Sequence, residues 1–287
     1  MHGSNVYICL LMVNVHNTSM TRGTNLLTHM TKVAVTLFLL LHSSFVASDY
    51  AGELSPNITI TSSYLGYDVQ YRVFIPKNYS ELDDLPTIYV TDGQDYIKSG
   101  EMPRLMKRLV GQNIMRPAIA VFIDSRDPAN LSHNRRNSQF VCNYQYFEFV
   151  TKELVNTIDS EYKTSPNAED RVILGLSLGG LNSACFGLLA SETFAGIAMQ
   201  SPYTVPVPNL IGYYEKSEKL PLKFFISTGA RNDGRRQTRV LQKALQKKGY
   251  PIKYREVSGS HDWYNWKPLL DDILVYYFPQ EKLTDKP

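Results

Sequence analysis

The 287-residue chain lacks most of what would mark a metal, nucleic-acid or membrane-spanning protein. Its three cysteines, Cys9, Cys142 and Cys185, form no C-x-x-C pair and no cluster with histidine, so no metal site and no cofactor is expected. The formal charge is only +3, and Arg22 and Lys32 supply two of those charges within a stretch, 1–48, that has no acidic residue. With no basic stripe in the rest, nucleic acid is not an expected partner. Repeats and low-complexity tracts are absent. Histidine is scarce too: His2, His16, His29 and His42 precede residue 49, leaving His133 and His261 for the remainder.

The N-terminal stretch is a class of its own. Lys32 precedes the apolar run 33–41, and small residues follow it at Ser43, Ser44, Ala47 and Ser48. A basic start, a short apolar centre and a small-residue end predict a secretory signal, so residues 1–48 are expected to be a leader and the protein to be exported, periplasmic or secreted. The run is too short for a stable membrane span, with an uncleaved N-terminal anchor as the alternative. Met20 or Met30 as the true start would give an ordinary signal length. Cys142 and Cys185 remain after export, and they either pair or stay as buried free thiols.

Residues 49–287 are expected to form one domain. The segments 58–61 and 68–75 have strand composition and predict an antiparallel hairpin at a sheet edge. Strand-like runs then recur at 87–91, 117–123, 171–176, 195–199, 222–227 and 252–257. Helical patterns fall at 99–111, 141–158 (apolar at Tyr144, Phe147, Val150, Leu154 and Ile158), 178–190, 236–248 and 262–277. Alternation of this kind gives a mostly parallel central sheet with helices on both faces. Residues 125–139 read as a polar loop. The connection 203–221 is short for a lid, so an open site is expected.

Such sheets bind ligands at the carboxyl ends of their strands. The segment Gly175-Leu-Ser177-Leu-Gly179 is a G-x-S-x-G turn between a strand-like and a helix-like run. A serine stands clear of the backbone only on a sharp strand-to-helix turn, whose crowded flanks call for glycine. A base and an acid must follow it, in the order Ser, acid, His. His261, after the last strand, takes the place of the base, since His133 precedes the serine. Asp233, after the 222–227 strand, takes that of the acid, with a helix N-cap as its competing role. The backbone N–H of Leu178 is the expected first oxyanion donor, and that of Gln94, after the early Asp92-Gly-Gln94 loop, the second.

Taken together, these residues resemble the enterochelin-esterase-like, or esterase D-type, esterases of the α/β-hydrolase fold. The likeness runs from about Tyr71 to Tyr277. It rests on Asp92-Gly-Gln94, Arg136 to Asn143, Glu153-Leu154, Gly175 to Gly180, Phe194 to Ser201, Gly229 to Asp233, and Gly259-Ser-His261 to Trp266. The resemblance implies a carboxylic-ester hydrolase with Ser177, Asp233 and His261 as a triad, acting on a small-molecule or carbohydrate ester such as a siderophore or an acylated sugar. It leaves open an acyltransferase with the same triad and a non-catalytic binder. Siderophore-type members carry Arg-x-x-Glu where this chain has Arg136-x-x-Gln139, a departure that bears on substrate and not on ester cleavage. Arg136 is a candidate substrate contact, and Trp263 and Trp266 either line an aromatic pocket or belong to the last helix's core. Oligomeric state is not legible in the sequence.

Overall fold

A computed structural model describes residues 52–280; the leader expected over 1–48 lies outside the described residues. Eleven strands are present among them: β1 Glu53–Leu54, β2 Ile58–Thr61, β3 Asp68–Ile75, β4 Thr87–Thr91, β5 Ile119–Asp124, β6 Arg126–Asp127, β7 Asn130–Asn134, β8 Arg171–Leu176, β9 Gly196–Gln200, β10 Lys223–Gly229 and β11 Ile252–Val257. Nine of them form one sheet in the order β1-β3-β5-β4-β8-β9-β10-β11, with β2 also paired to β3. From β5 to β11 every neighbour is parallel, while β3 runs antiparallel to β1, β2 and β5. This is the α/β arrangement expected from the alternating pattern, with the antiparallel hairpin at its edge.

The central strands β4, β5, β8 and β9 are buried at every position because both faces are covered. Successive side chains point to opposite faces. Ile119, Val121 and Ile123 of β5 pack with Tyr146, Leu154, Leu181, Leu210 and Leu241, while Ala120 and Phe122 pack with Tyr96, Met106, Ile273 and Leu274. Helices Leu178–Leu189, Leu210–Lys216 and Arg235–Lys247 therefore lie on one face, and Met102–Gly111 and Leu270–Tyr277 on the other. Among the described residues no helix is long and apolar enough to cross a membrane.

Four segments depart from the sequence expectation. The 141–158 pattern predicts one helix, but the chain runs as α-helix Tyr144–Glu148, π-helix Phe149–Leu154 and α-helix Val155–Glu161. A π turn inserts a residue and rotates the face, so Phe149 becomes buried and Tyr144, expected to face the core, is 65% exposed. The last helix is interrupted by a 3-10 turn, Lys267–Leu269, at Pro268, which has no N–H to continue the ladder. The polar loop 125–139 contains the β6–β7 ribbon and a short helix, Arg136–Gln139. The connection 203–221 contains helix Leu210–Lys216, whose Tyr214 is buried against Phe224 and donates to the Ala184 carbonyl at 2.6 Å. That anchoring makes it part of the core. The two cysteines are paired: Cys142 and Cys185 form a disulfide with Cα atoms 5.4 Å apart.

Candidate active site

Ser177 follows β8 directly and precedes helix Leu178–Leu189. Its backbone sits at φ 57° and ψ −117°, outside the regions an L-residue adopts freely. The surroundings hold it there. Its N–H donates to the Gln200 carbonyl at 2.9 Å, and its own carbonyl accepts from Tyr203 N–H at 2.9 Å. Glycine is obligatory on both sides of the turn. A Cβ on Gly175 would lie 2.3 Å from the Gly179 carbonyl carbon, and one on Gly179 would lie 2.7 Å from Thr91 Oγ1.

Ser177, Leu178, Arg136, Asp233 and His261 line one cavity of about 510 Å³, together with Ser201, Tyr203, Val205, Asn232 and Gln237. His261 reaches it from the loop after β11, and Asp233 from the loop after β10. His261 Nδ1 is 2.5 Å from Asp233 Oδ1. The other oxygen of Asp233, Oδ2, accepts from Ser201 Oγ at 2.6 Å, Asn265 Nδ2 at 2.9 Å, Thr228 Oγ1 at 3.2 Å and the Gly229 N–H. Burial alone would raise the Asp233 carboxyl, but the bonds from His261, Ser201 and Gly229 outweigh it and hold the group below its ordinary range. Asp233 does not cap the following helix; Gly234 occupies that position, with no side-chain cap. Asp262, next to His261, instead caps helix Trp263–Trp266 by accepting from the N–H groups of Tyr264 and Asn265.

Leu178 opens its helix, so its N–H has no intrahelical acceptor. Gln94 is placed differently. Its N–H lies in the first turn of helix Gly93–Lys98, and its side chain lines a separate recess with Asn57, Arg72, Lys98, Asp124 and Arg126. Arg136 enters the Ser177 cavity already committed to a carboxylate. Its Nη2 is 2.9 Å from Asp92 Oδ2, and its Nε is 3.2 Å from both Asp92 oxygens. Asp92 follows β4 at φ 54° and is 1% exposed. The tryptophans are not among the cavity-lining residues. Trp266 is buried behind His261, its ring edge-on at 5.0 Å, and Trp263 packs on Tyr96 and Trp266. The aromatic-pocket alternative gives way to the core one, because the helix that starts at Asp262 turns both rings inward. His133 is exposed, 3.6 Å from Asp127, and takes no part.

The family described as "Putative esterase" matches residues 62–224, more than half of the chain. The chain belongs to this family of carboxylic-ester hydrolases. Among curated relatives of this esterase, the uncharacterized protein YjcH of Bacillus subtilis (strain 168) is 26% identical over 226 residues, which cover 74% of this chain and 92% of YjcH. The iron(III) enterobactin esterase of Escherichia coli (strain K12) is 26% identical over 204 residues, 67% of this chain and 50% of that protein, so the chain spans half the length of that relative. In fold, the esterase is similar to the enterobactin esterase FES of Shigella flexneri, solved in the presence of enterobactin, with a TM-score of 0.71 and 22% identity over 81% of this chain and 61% of that one.

Three residues that tie this esterase's site together carry no role in the sequence reading. Asp92 appears there only as the lead-in to Gln94, and Ser201 and Asn265 only as parts of longer matching segments. Asp92 holds Arg136 from 44 positions away, and Asn265 meets Asp233 across 32. Local spacing carries no signal for pairs that distant. Position at a strand's carboxyl end was the one available sign for Asp92 and Ser201.

Proposed function

We propose that the chain is an exported serine esterase that cleaves a carboxylic ester through an acyl-enzyme. Ser177 attacks the acyl carbon, His261 accepts its proton at Nε2 and returns it to the leaving alcohol, and Asp233 holds the imidazole in the required tautomer. Leu178 N–H is one donor to the tetrahedral oxyanion. Gln94 N–H is proposed as the second, contributed by its backbone since its side chain faces elsewhere. Water then repeats the sequence to release the acid.

The observation that carries this reading is the His261–Asp233 contact of 2.5 Å at the wall of the cavity that Ser177 lines. An ionised carboxylate accepts only, so the bonded ring nitrogen is the donor and Nε2 is left with its lone pair. Arg136, steadied through Nε and Nη2 by Asp92, presents its remaining N–H groups to a substrate oxygen. Export is supported by the signal-like leader and by the Cys142–Cys185 disulfide, a bond that persists in oxidising compartments. The substrate proposed is a siderophore-type or acylated-carbohydrate ester. Purified protein should release p-nitrophenol from short p-nitrophenyl esters and lose that activity as Ser177→Ala; retention by Ser177→Ala removes the reading. Comparing trilactone, feruloyl and acetyl-sugar substrates then identifies the ester.

A further inference from the structure

Ser201 sits at the end of β9, one strand over from Ser177, with φ 47°. That left-handed backbone suits glycine and disfavours serine. The residue is 2% exposed, and its N–H is bonded to the Ser227 carbonyl at 2.8 Å. With a serine where glycine is easier, the question is what its side chain does. Its Oγ is 2.6 Å from Asp233 Oδ2 and 2.8 Å from Trp266 Nε1, with Asn265 Nδ2 at 3.4 Å. Trp266 also places its ring edge-on to His261. Trp266, Ser201, Asp233 and His261 thus form a closed ring of four side chains.

The donors in that ring have one possible direction. The indole N–H can only donate, so Ser201 Oγ accepts from Trp266. The hydroxyl's proton is then free for the neighbouring carboxylate, which can only accept. Ser201, Asn265, Thr228 and the Gly229 N–H converge on Oδ2, leaving Oδ1 to His261.

We propose that Ser201 is a positioning residue that fixes the Asp233 carboxylate for His261, with Trp266 setting the direction of its hydroxyl proton. The proposal rests on the Ser177–Asp233–His261 reading and adds a residue to it. Ser201 need touch neither substrate nor reacting atoms. It acts by denying the carboxylate a rotation that would take Oδ1 away from the imidazole.

The experiment is a kinetic cycle on the full chain with p-nitrophenyl butyrate. Ser201→Gly relieves the left-handed backbone but leaves the Trp266 N–H without its acceptor, so its melting temperature is measured beside its kinetics. Its kcat should fall about 10- to 100-fold, the scale of a small misplacement of reacting groups, with KM within about twofold. The low-field proton signal of His261 Nδ1–H should shift or broaden. In an Asp233→Asn background Ser201→Gly should cost nothing more, since the group it acts through is gone. Trp266→Phe keeps an aromatic ring beside His261 and deletes the donor together with part of the buried indole, and its kcat loss should vanish in the same background, whether or not Ser201→Gly folds. Ser201→Gly or Trp266→Phe at the wild-type kcat, or a loss that is fully additive with Asp233→Asn, overturns the proposal. Turnover by Ser177→Ala would overturn the triad instead; an inactive Ser177→Ala beside a fully active Ser201→Gly removes Ser201's role alone.

Discussion

Arg136 and Asp92, 44 residues apart, meet at the wall of the Ser177 cavity with Nη2 2.9 Å from Oδ2. The carboxylate is buried and the guanidinium side chain is 26% exposed, so the pair joins the interior to the cavity. Ser125 Oγ adds a bond to Asp92 Oδ1 at 3.1 Å. Burial raises the Asp92 carboxyl above its ordinary value, and Arg136 is the strongest influence pulling it back. A carboxyl raised in the folded state contributes most favourably in acid, and that contribution is lost as pH rises through its folded value. Arg136→Ala removes the counterweight and should cost about 3 kcal/mol near neutral pH, where it strands a buried charge. The deficit should shrink as pH falls and Asp92 becomes neutral. Urea unfolding of wild type and variant at several pH values measures it; a deficit independent of pH contradicts this account. The same variant should raise KM more than it lowers kcat.

Asp233 behaves oppositely. Its carboxyl is held low, so the stability it contributes is present above the unfolded value and is lost as pH falls through the folded one. Asp233→Asn should remain folded, because its amide oxygen can still accept the four donors that converge on Oδ2. The amide nitrogen then faces His261 Nδ1 as a donor and imposes the wrong tautomer. A fall in kcat of about 10⁴ is expected with little change in KM. The variant should also lose less stability than wild type on acidification below about pH 4. Steady-state rates and acid unfolding curves check both halves.

The turn at Ser177 is legible in the sequence because its demand is local. Backbone crowding specifies glycine at 175 and 179, two residues from the serine on each side. His261 is legible through scarcity, since only one other histidine lies beyond residue 48. The sheet is legible because strands buried on both faces must be apolar at every position. The Arg136–Asp92 pair and the donors around Asp233 are not legible, since they join segments that only the parallel sheet brings together. Periodicity also fails over 141–158, where 3.6 residues per turn cannot anticipate a π turn. Trp263 and Trp266 closely follow His261 in sequence, but they lie on the helix that Asp262 caps and both pack with the core.

The Cys142–Cys185 disulfide ties the segment after Arg136 to the helix that begins beside Ser177, across 43 positions. Closing a loop of that length in the unfolded chain is worth about 4 kcal/mol in the chain-entropy account. Cys142 itself holds φ 48°, so the bond also pins a turn between helix Arg136–Gln139 and helix Tyr144–Glu148. Replacing both cysteines with serine should lower stability by about 2–4 kcal/mol, seen as an earlier urea midpoint with a steeper slope, because the freed unfolded chain exposes more surface. The serine turn is built by β8 and its neighbours, so labelling of Ser177 by a fluorophosphonate should survive the replacement. Arg136 is held by Asp92 but loses its tether on the C-terminal side, so KM should rise while kcat changes little. A double variant that keeps both the wild-type midpoint and the wild-type KM would show that the bond constrains neither the unfolded chain nor the Arg136 segment.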